Sequence, residues 1–294
     1  MSLMGKQNKI AYMKKIKLII ILIFMCILSA CSINRNTVKK TSVTKTELLP
    51  TFKDTPTLYF HGLMGSYKNE EPLAQAAKKQ GITTSVTRAN VDKKGKVKLI
   101  GTIKKNAKNP LILVNYQDNV QPSFKRNGVY ASNVVKALKK KYHINKVNMI
   151  GYSLGNMSII YYQIQNGNKS SMPRLVKEVS LGGHYDGAYF KELPPGFRQP
   201  KGLKLDQNGK PNKMNQTYRE MPAVRKIYQK HSVQVLNIFG NIGNQSDGVV
   251  ETASAKSLKY LVADRNYQEF EVTADHGSLP SNGKVLQKTI NFLW

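Results

Sequence analysis

Across 294 residues the chain is 40% hydrophobic and 21% charged, an ordinary globular composition whose length suits one large domain with appendages. Its two cysteines, Cys26 and Cys31, both lie near the start, which excludes a disulfide, a thiolate nucleophile or a cysteine zinc site from the body. A net charge of +29 sets up a field that attracts anionic surfaces and polymers, yet no nucleic-acid-binding motif accompanies it.

In chain order, residues 1–30 read as an export signal. Lys14, Lys15 and Lys17 precede an unbroken apolar run from Leu18 to Leu28, and Met13 is the expected true start. The run is shorter than the ~20 apolar residues that span a bilayer. It ends in Leu28-Ser29-Ala30-Cys31, which resembles the lipobox of bacterial lipoproteins; the resemblance implies lipidation of Cys31. An uncleaved anchor, or an ordinary cleavage site with an incidental cysteine, is the other reading. Residues 31–50 are polar and without period, a flexible tether to a domain over 51–294. The first thirty residues hold five lysines and no acid, so an excess of +24 remains from Cys31 onwards. For an exported protein, anionic head groups and wall polymers fit that excess better than nucleic acid. A lysine-rich surface that serves only solubility is the alternative.

From residue 51 short β-rich runs alternate with helical patterns. Strands are predicted at 57–60, 82–91, 97–103, 111–116, 146–150, 176–181, 233–239 and 267–272; helices at 72–80, 129–142, 154–164, 253–262 and 281–294. The alternation predicts a mostly parallel central sheet with helices on both faces. Residues 184–216 break the rhythm, holding four prolines and no period. They leave the sheet after the sixth strand and are expected to form a cap over the site, with Lys201, Lys204, Lys210 and Lys213 as its basic face. A plain surface loop is the alternative.

Gly151-Tyr152-Ser153-Leu154-Gly155 lies between the strand KVNMI and a helical stretch, the strand–turn–helix setting of a nucleophile elbow. Ser153 is therefore the candidate nucleophile. His61-Gly62-Leu63-Met64-Gly65 follows the first strand, and the backbone N–H groups of Leu63 and Leu154 are the candidate oxyanion donors. His61 is expected to hold that turn; Met64, Tyr152 and His184 join it as candidate pocket residues. The base is sought among the other histidines. His143 and His231 precede strands and belong to the wrong end of a parallel sheet, whereas His276 follows the last strand and precedes a helix. Asp247, in the turn after the penultimate strand, is the candidate acid; Asp264 ends a helix and Asp275 adjoins the base. The order Ser153, Asp247, His276 is that of α/β-hydrolases.

Together HGLMG, the Tyr116-Gln117-Asp118-Asn119 segment, GYSLGN, LGGHYDG and SDGVV with a late histidine resemble the cell-surface α/β-hydrolases of Gram-positive bacteria, a family of unknown function. The resemblance spans 51–294 and implies the α/β-hydrolase fold and the Ser153–Asp247–His276 set, without a substrate. Where relatives carry Pro-Phe-Asn this chain has His184-Tyr185-Asp186, so no role carries over to those three. The expected activity is cleavage of a small-molecule or lipid ester, with no cofactor and no metal motif in view. Amide, thioester or acyl-transfer chemistry on the same residues, or a non-catalytic surface-binding lipoprotein, are the alternatives.

Overall fold

The computed structural model describes residues 54–189, 197–262 and 264–294. The signal, Cys31, the tether and Pro194-Pro195-Gly196 of the insertion lie outside the described residues.

Among the described residues eight strands form: β1 Thr57–Phe60, β2 Val86–Val91, β3 Val97–Ile100, β4 Leu111–Tyr116, β5 Lys146–Tyr152, β6 Arg174–Leu181, β7 Gln234–Gly240 and β8 Tyr267–Val272. They make one sheet in the order β3-β2-β4-β1-β5-β6-β7-β8, parallel throughout except for the β2–β3 hairpin. The helices are α1 Glu71–Lys79, α2 Phe124–Tyr142, α3 Gly155–Asn166, α4 Arg225–His231, α5 Thr252–Lys256, α6 Leu258–Val262 and α7 Gly283–Leu293. This is the mostly parallel sheet with helices on both faces that the alternation predicted.

Side chains alternate across each strand, so a strand with helices on both sides must be apolar in both directions. Leu58 and Phe60 enter one core with Tyr130 and Val134 of α2 and Ile159 of α3. Tyr59, between them, enters the other with Leu73 of α1 and Val285 of α7. Among the described residues the buried hydrophobics run from Leu58 to Leu293, so the compact unit Leu48–Trp294 carries its own core. No helix of the described residues is long and apolar enough to cross a membrane.

Several predicted boundaries move for local reasons. Helix α2 begins at Phe124, not 129, because the Ser123 side chain accepts the Arg126 N–H and Phe124 is buried. It ends where His143 turns left-handed at φ 55°, so that histidine is a cap. Strand β2 starts only at Val86, since Thr83 and Ser85 are tied in a local turn; β3 stops at Ile100, before Gly101 at φ +83°. The helix expected over 253–262 is two, divided at Ser257, and the last helix starts at 283 after a 3-10 turn over His276–Ser281. The helical stretch from Tyr218 to His231 was not predicted; Pro222 keeps its first part in 3-10 form and α4 is only seven residues long.

The insertion also departs from expectation. Phe197 lies edge-on to Phe124 at 4.7 Å, but the lysine-bearing part turns away along the flank of the sheet. Lys259 Nζ donates to Gln207 O, Lys210 stands over the Tyr260 ring, and Lys213 Nζ donates to Lys201 O. Residues 205–209 line a 660 Å³ groove with Lys256, Tyr267 and Glu269, not with Ser153. Partners on α6 hold Gln207 and Lys210 there.

One buried acid sets a pH dependence. The Glu178 carboxyl, fully buried in β6, accepts a hydrogen bond from Tyr228, and its second oxygen has no partner among the described residues. Burial pushes its pKa up to about 7. The unfolded chain releases this proton near the ordinary glutamate value while the folded chain keeps it, so this contribution to stability is complete below the ordinary value. It is lost as pH rises towards 7. Glu178→Gln keeps an acceptor for Tyr228 and removes the titration. At pH 8 it should stabilise the protein by about 2–3 kcal/mol, flattening the fall of Tm between pH 5 and pH 8; an unchanged profile would show that Glu178 is ionised in the fold.

Candidate active site

The carboxyl ends of β5, β7 and β8 bring Ser153, Asp247 and His276 together. Strand β5 ends at Tyr152, and Ser153 turns left-handed at φ 51°, a conformation that costs a non-glycine residue about 1–2 kcal/mol. Four bonds hold the turn: Ser153 N–H donates to Leu181 O, Asn156 N–H donates to Ser153 O, and the Asn156 side-chain amide donates to Ser153 O and Leu181 O at 3.0 and 3.2 Å. The flanking glycines are steric requirements. A Cβ on Gly151 would stand 2.6 Å from Asn156 N, and one on Gly155 2.1 Å from Phe60 O, so any side chain would push α3 off β1.

Ser153 Oγ lies 2.9 Å from His276 Nε2, and His276 Nδ1 lies 2.7 Å from Asp247 Oδ2. The other Asp247 oxygen accepts the N–H groups of Val249 and Val250 at 3.0 and 2.7 Å. With an acceptor at Nδ1, the neutral imidazole carries its proton there and offers a lone pair at Nε2 to the serine hydroxyl. Asp275 takes no part in this chain: it caps the following 3-10 turn by accepting the Ser278 N–H, and hydrogen bonds with Ser278 hold its pKa low.

The turn after β1 lies against Ser153, where a Cβ on Gly62 would be 3.1 Å from Ser153 Cβ. His61 is buried, with both ring nitrogens committed: Nε2 accepts the Tyr116 N–H at 3.0 Å and Nδ1 donates to Gly62 O at 2.8 Å. Burial lowers its pKa and keeps it neutral, which this pattern requires. Asn119 completes the clamp, its carbonyl accepting Met64 N–H and its amide donating to Gly65 O. The N–H groups of Leu63 and Leu154 have no acceptor among the described residues. Two uncommitted donors beside a serine hydroxyl can hold a developing negative charge.

The family model described as alpha/beta hydrolase of unknown function (DUF915) matches residues 49–294. The chain belongs to this family. Two solved structures of similar fold are a gene product of Listeria innocua and a Lactobacillus plantarum protein described as a cell surface hydrolase. The first is 22% identical with TM-score 0.68, covering 82% of this chain and 94% of that one. The second is 18% identical with TM-score 0.60, covering 81% and 89%. No curated protein matches.

In this α/β-hydrolase the remaining candidates separate. Met64 is 70% exposed beside Leu63 at 42%, an apolar lip next to Ser153. His184 stacks obliquely on Phe124 at 5.9 Å, and burial together with the nearby His276 lowers its pKa to about 4, so it stands neutral beside His276. Tyr152 also has a bracing part: its ring belongs to the core beneath the His276 loop and its hydroxyl donates to His276 O at 3.0 Å. Tyr116, Asn119 and Asn156, which lock the two turns, had no assigned role. Tyr116 and Asn119 act largely through backbone groups, which leave no residue signature.

Proposed function

We propose that this protein is an extracytoplasmic serine hydrolase that cleaves carboxylic esters through an acyl-enzyme. The observation that carries the reading is the unbroken hydrogen-bond chain from Ser153 Oγ through His276 to Asp247, facing the uncommitted Leu63 and Leu154 N–H groups. Ser153 Oγ attacks the carbonyl carbon as its proton passes to His276 Nε2. The carbonyl π pair moves onto oxygen, where the two N–H groups accept the charge. The tetrahedral species collapses, expelling the alkoxide, which takes the proton from His276. Water then repeats the sequence on the acyl-enzyme and frees the acid. Asp247 keeps its hydrogen bond to His276 Nδ1 throughout, holding the tautomer and stabilising the imidazolium.

The export signal read in residues 1–30 and the lipobox-like Cys31 support a lipid-anchored place on the outer face of the cell membrane. The description of the Lactobacillus plantarum protein as a cell surface hydrolase agrees with it.

A fluorophosphonate probe with p-nitrophenyl esters of graded acyl length tests the reading on the Leu48–Trp294 unit. Covalent labelling is expected, with kcat/KM rising from acetate to butyrate because Leu63 and Met64 offer an apolar lip. Hydrolysis of an amide or thioester series alone would move the bond type. Absence of both labelling and turnover would leave a binding protein on a hydrolase scaffold.

A further inference from the structure

The strands fix two unlike edges. Acids gather where they end: Glu71 follows β1, Asp92 follows β2, Asp118 follows β4, Asp247 and Glu251 follow β7, and Asp275 follows β8. Bases gather at the other edge, where helices finish and strands begin. Lys78 and Lys79 end α1, Lys140 and Lys141 end α2, Lys146 opens β5, Arg174 opens β6 and Lys230 lies in the last turn of α4; all are exposed. Cations at helix ends complement the dipole, and at two helix ends other bonds fill that role: His231 Nε2 donates to Gly167 O just after α3, and Lys177 Nζ to the last carbonyls of α7. No ion pair among the described residues engages Lys140, Lys146, Arg174 or Lys230.

Within this edge lies a 240 Å³ pocket lined by Lys169, Arg174, Lys230 and His231, with no acidic residue in its wall. Gln163 also lines it; the side chain is 1% exposed and its amide nitrogen has no partner among the described residues. Cations without an acidic partner around one small pocket suit an oxyanion. Asp54 precedes β1 at this same edge, where it accepts the Asn109 N–H ahead of β4.

We propose that this amino edge of the sheet docks on an anionic phospholipid bilayer, a headgroup phosphate seating among Lys169, Arg174 and Lys230. Docked this way, the domain presents Ser153, at the opposite edge, away from the membrane. The proposal is independent of the hydrolase reading.

Sedimentation of the Leu48–Trp294 unit with vesicles tests it, since this unit has no lipid anchor. Binding is expected to vesicles of equal parts phosphatidylglycerol and phosphatidylcholine, and not to phosphatidylcholine alone. Replacing Lys169, Arg174 and Lys230 together by Gln should weaken binding about a hundredfold, with Tm unchanged. Replacing Lys93, Lys94 and Lys96, exposed on the β2–β3 hairpin at the acidic edge, should change it less than about threefold. Equal losses in both triple variants would overturn the proposal, as would a wild-type unit that ignores anionic vesicles. Binding to soluble dextran sulfate without binding to vesicles would also overturn it, making the edge a polymer site.

Discussion

Ser153→Ala is expected to abolish fluorophosphonate labelling and to lower kcat/KM for the best ester by roughly 10⁴- to 10⁶-fold. The substitution deletes the hydroxyl that lies 2.9 Å from His276 Nε2 and keeps Cβ, so the backbone at φ 51° is neither relieved nor further strained. The Leu181 and Asn156 bonds to the residue 153 backbone survive it, since none uses the side chain. An unchanged Tm with no labelling is the result that places the nucleophile. Labelling that persists at full rate would move it elsewhere, and the geometry around Ser153 would then need another purpose.

Asp247→Asn should cost about 10⁴-fold in kcat through the tautomer. The asparagine oxygen can still accept the Val249 and Val250 N–H groups, which leaves its NH₂ facing His276 Nδ1. The ring must then accept at Nδ1 and carry its proton at Nε2, pointing it at the hydroxyl whose proton it should remove. Asp275→Asn is the matched control. Asp275 is exposed and bonded to Ser278, so its loss should touch stability of the 3-10 turn more than rate. If Asp247→Asn keeps more than about a tenth of kcat, the orienting acid is not Asp247.

The parts of this molecule legible from residues alone are those in which a side chain type and a local pattern coincide. GYSLG between a strand and a helix, and a histidine just past the last strand, place their side chains within hydrogen-bond reach of each other across 123 positions. Strand polarity was equally readable, because runs such as LILV and VQVLNIF are apolar towards both faces. What stayed hidden depends on groups that composition does not report. Tyr116 steadies His61 through its N–H, and Asn119 steadies Met64 through its carbonyl. Tyr152 resembles a pocket wall by position, yet its hydroxyl reaches the carbonyl of His276. The course of residues 201–213 was unreadable for a related reason. A polar stretch with prolines holds no period, so nothing in it says which flank of the sheet will supply its partners; here Lys259 and Tyr260 do.

The left-handed backbone at Ser153 has a consequence for inheritance. At φ 51° glycine is the residue that the fold would choose, because it lacks the Cβ that makes this conformation costly. A domain typically has only about 5–15 kcal/mol separating it from the unfolded chain, so ~1–2 kcal/mol at one codon is a real gradient. Drift towards glycine runs downhill in folding free energy, and every other part of the elbow would tolerate it. A lineage screened for stability alone would have reason to lose this serine. Under the proposed function its hydroxyl stands where selection on chemistry acts against selection on folding.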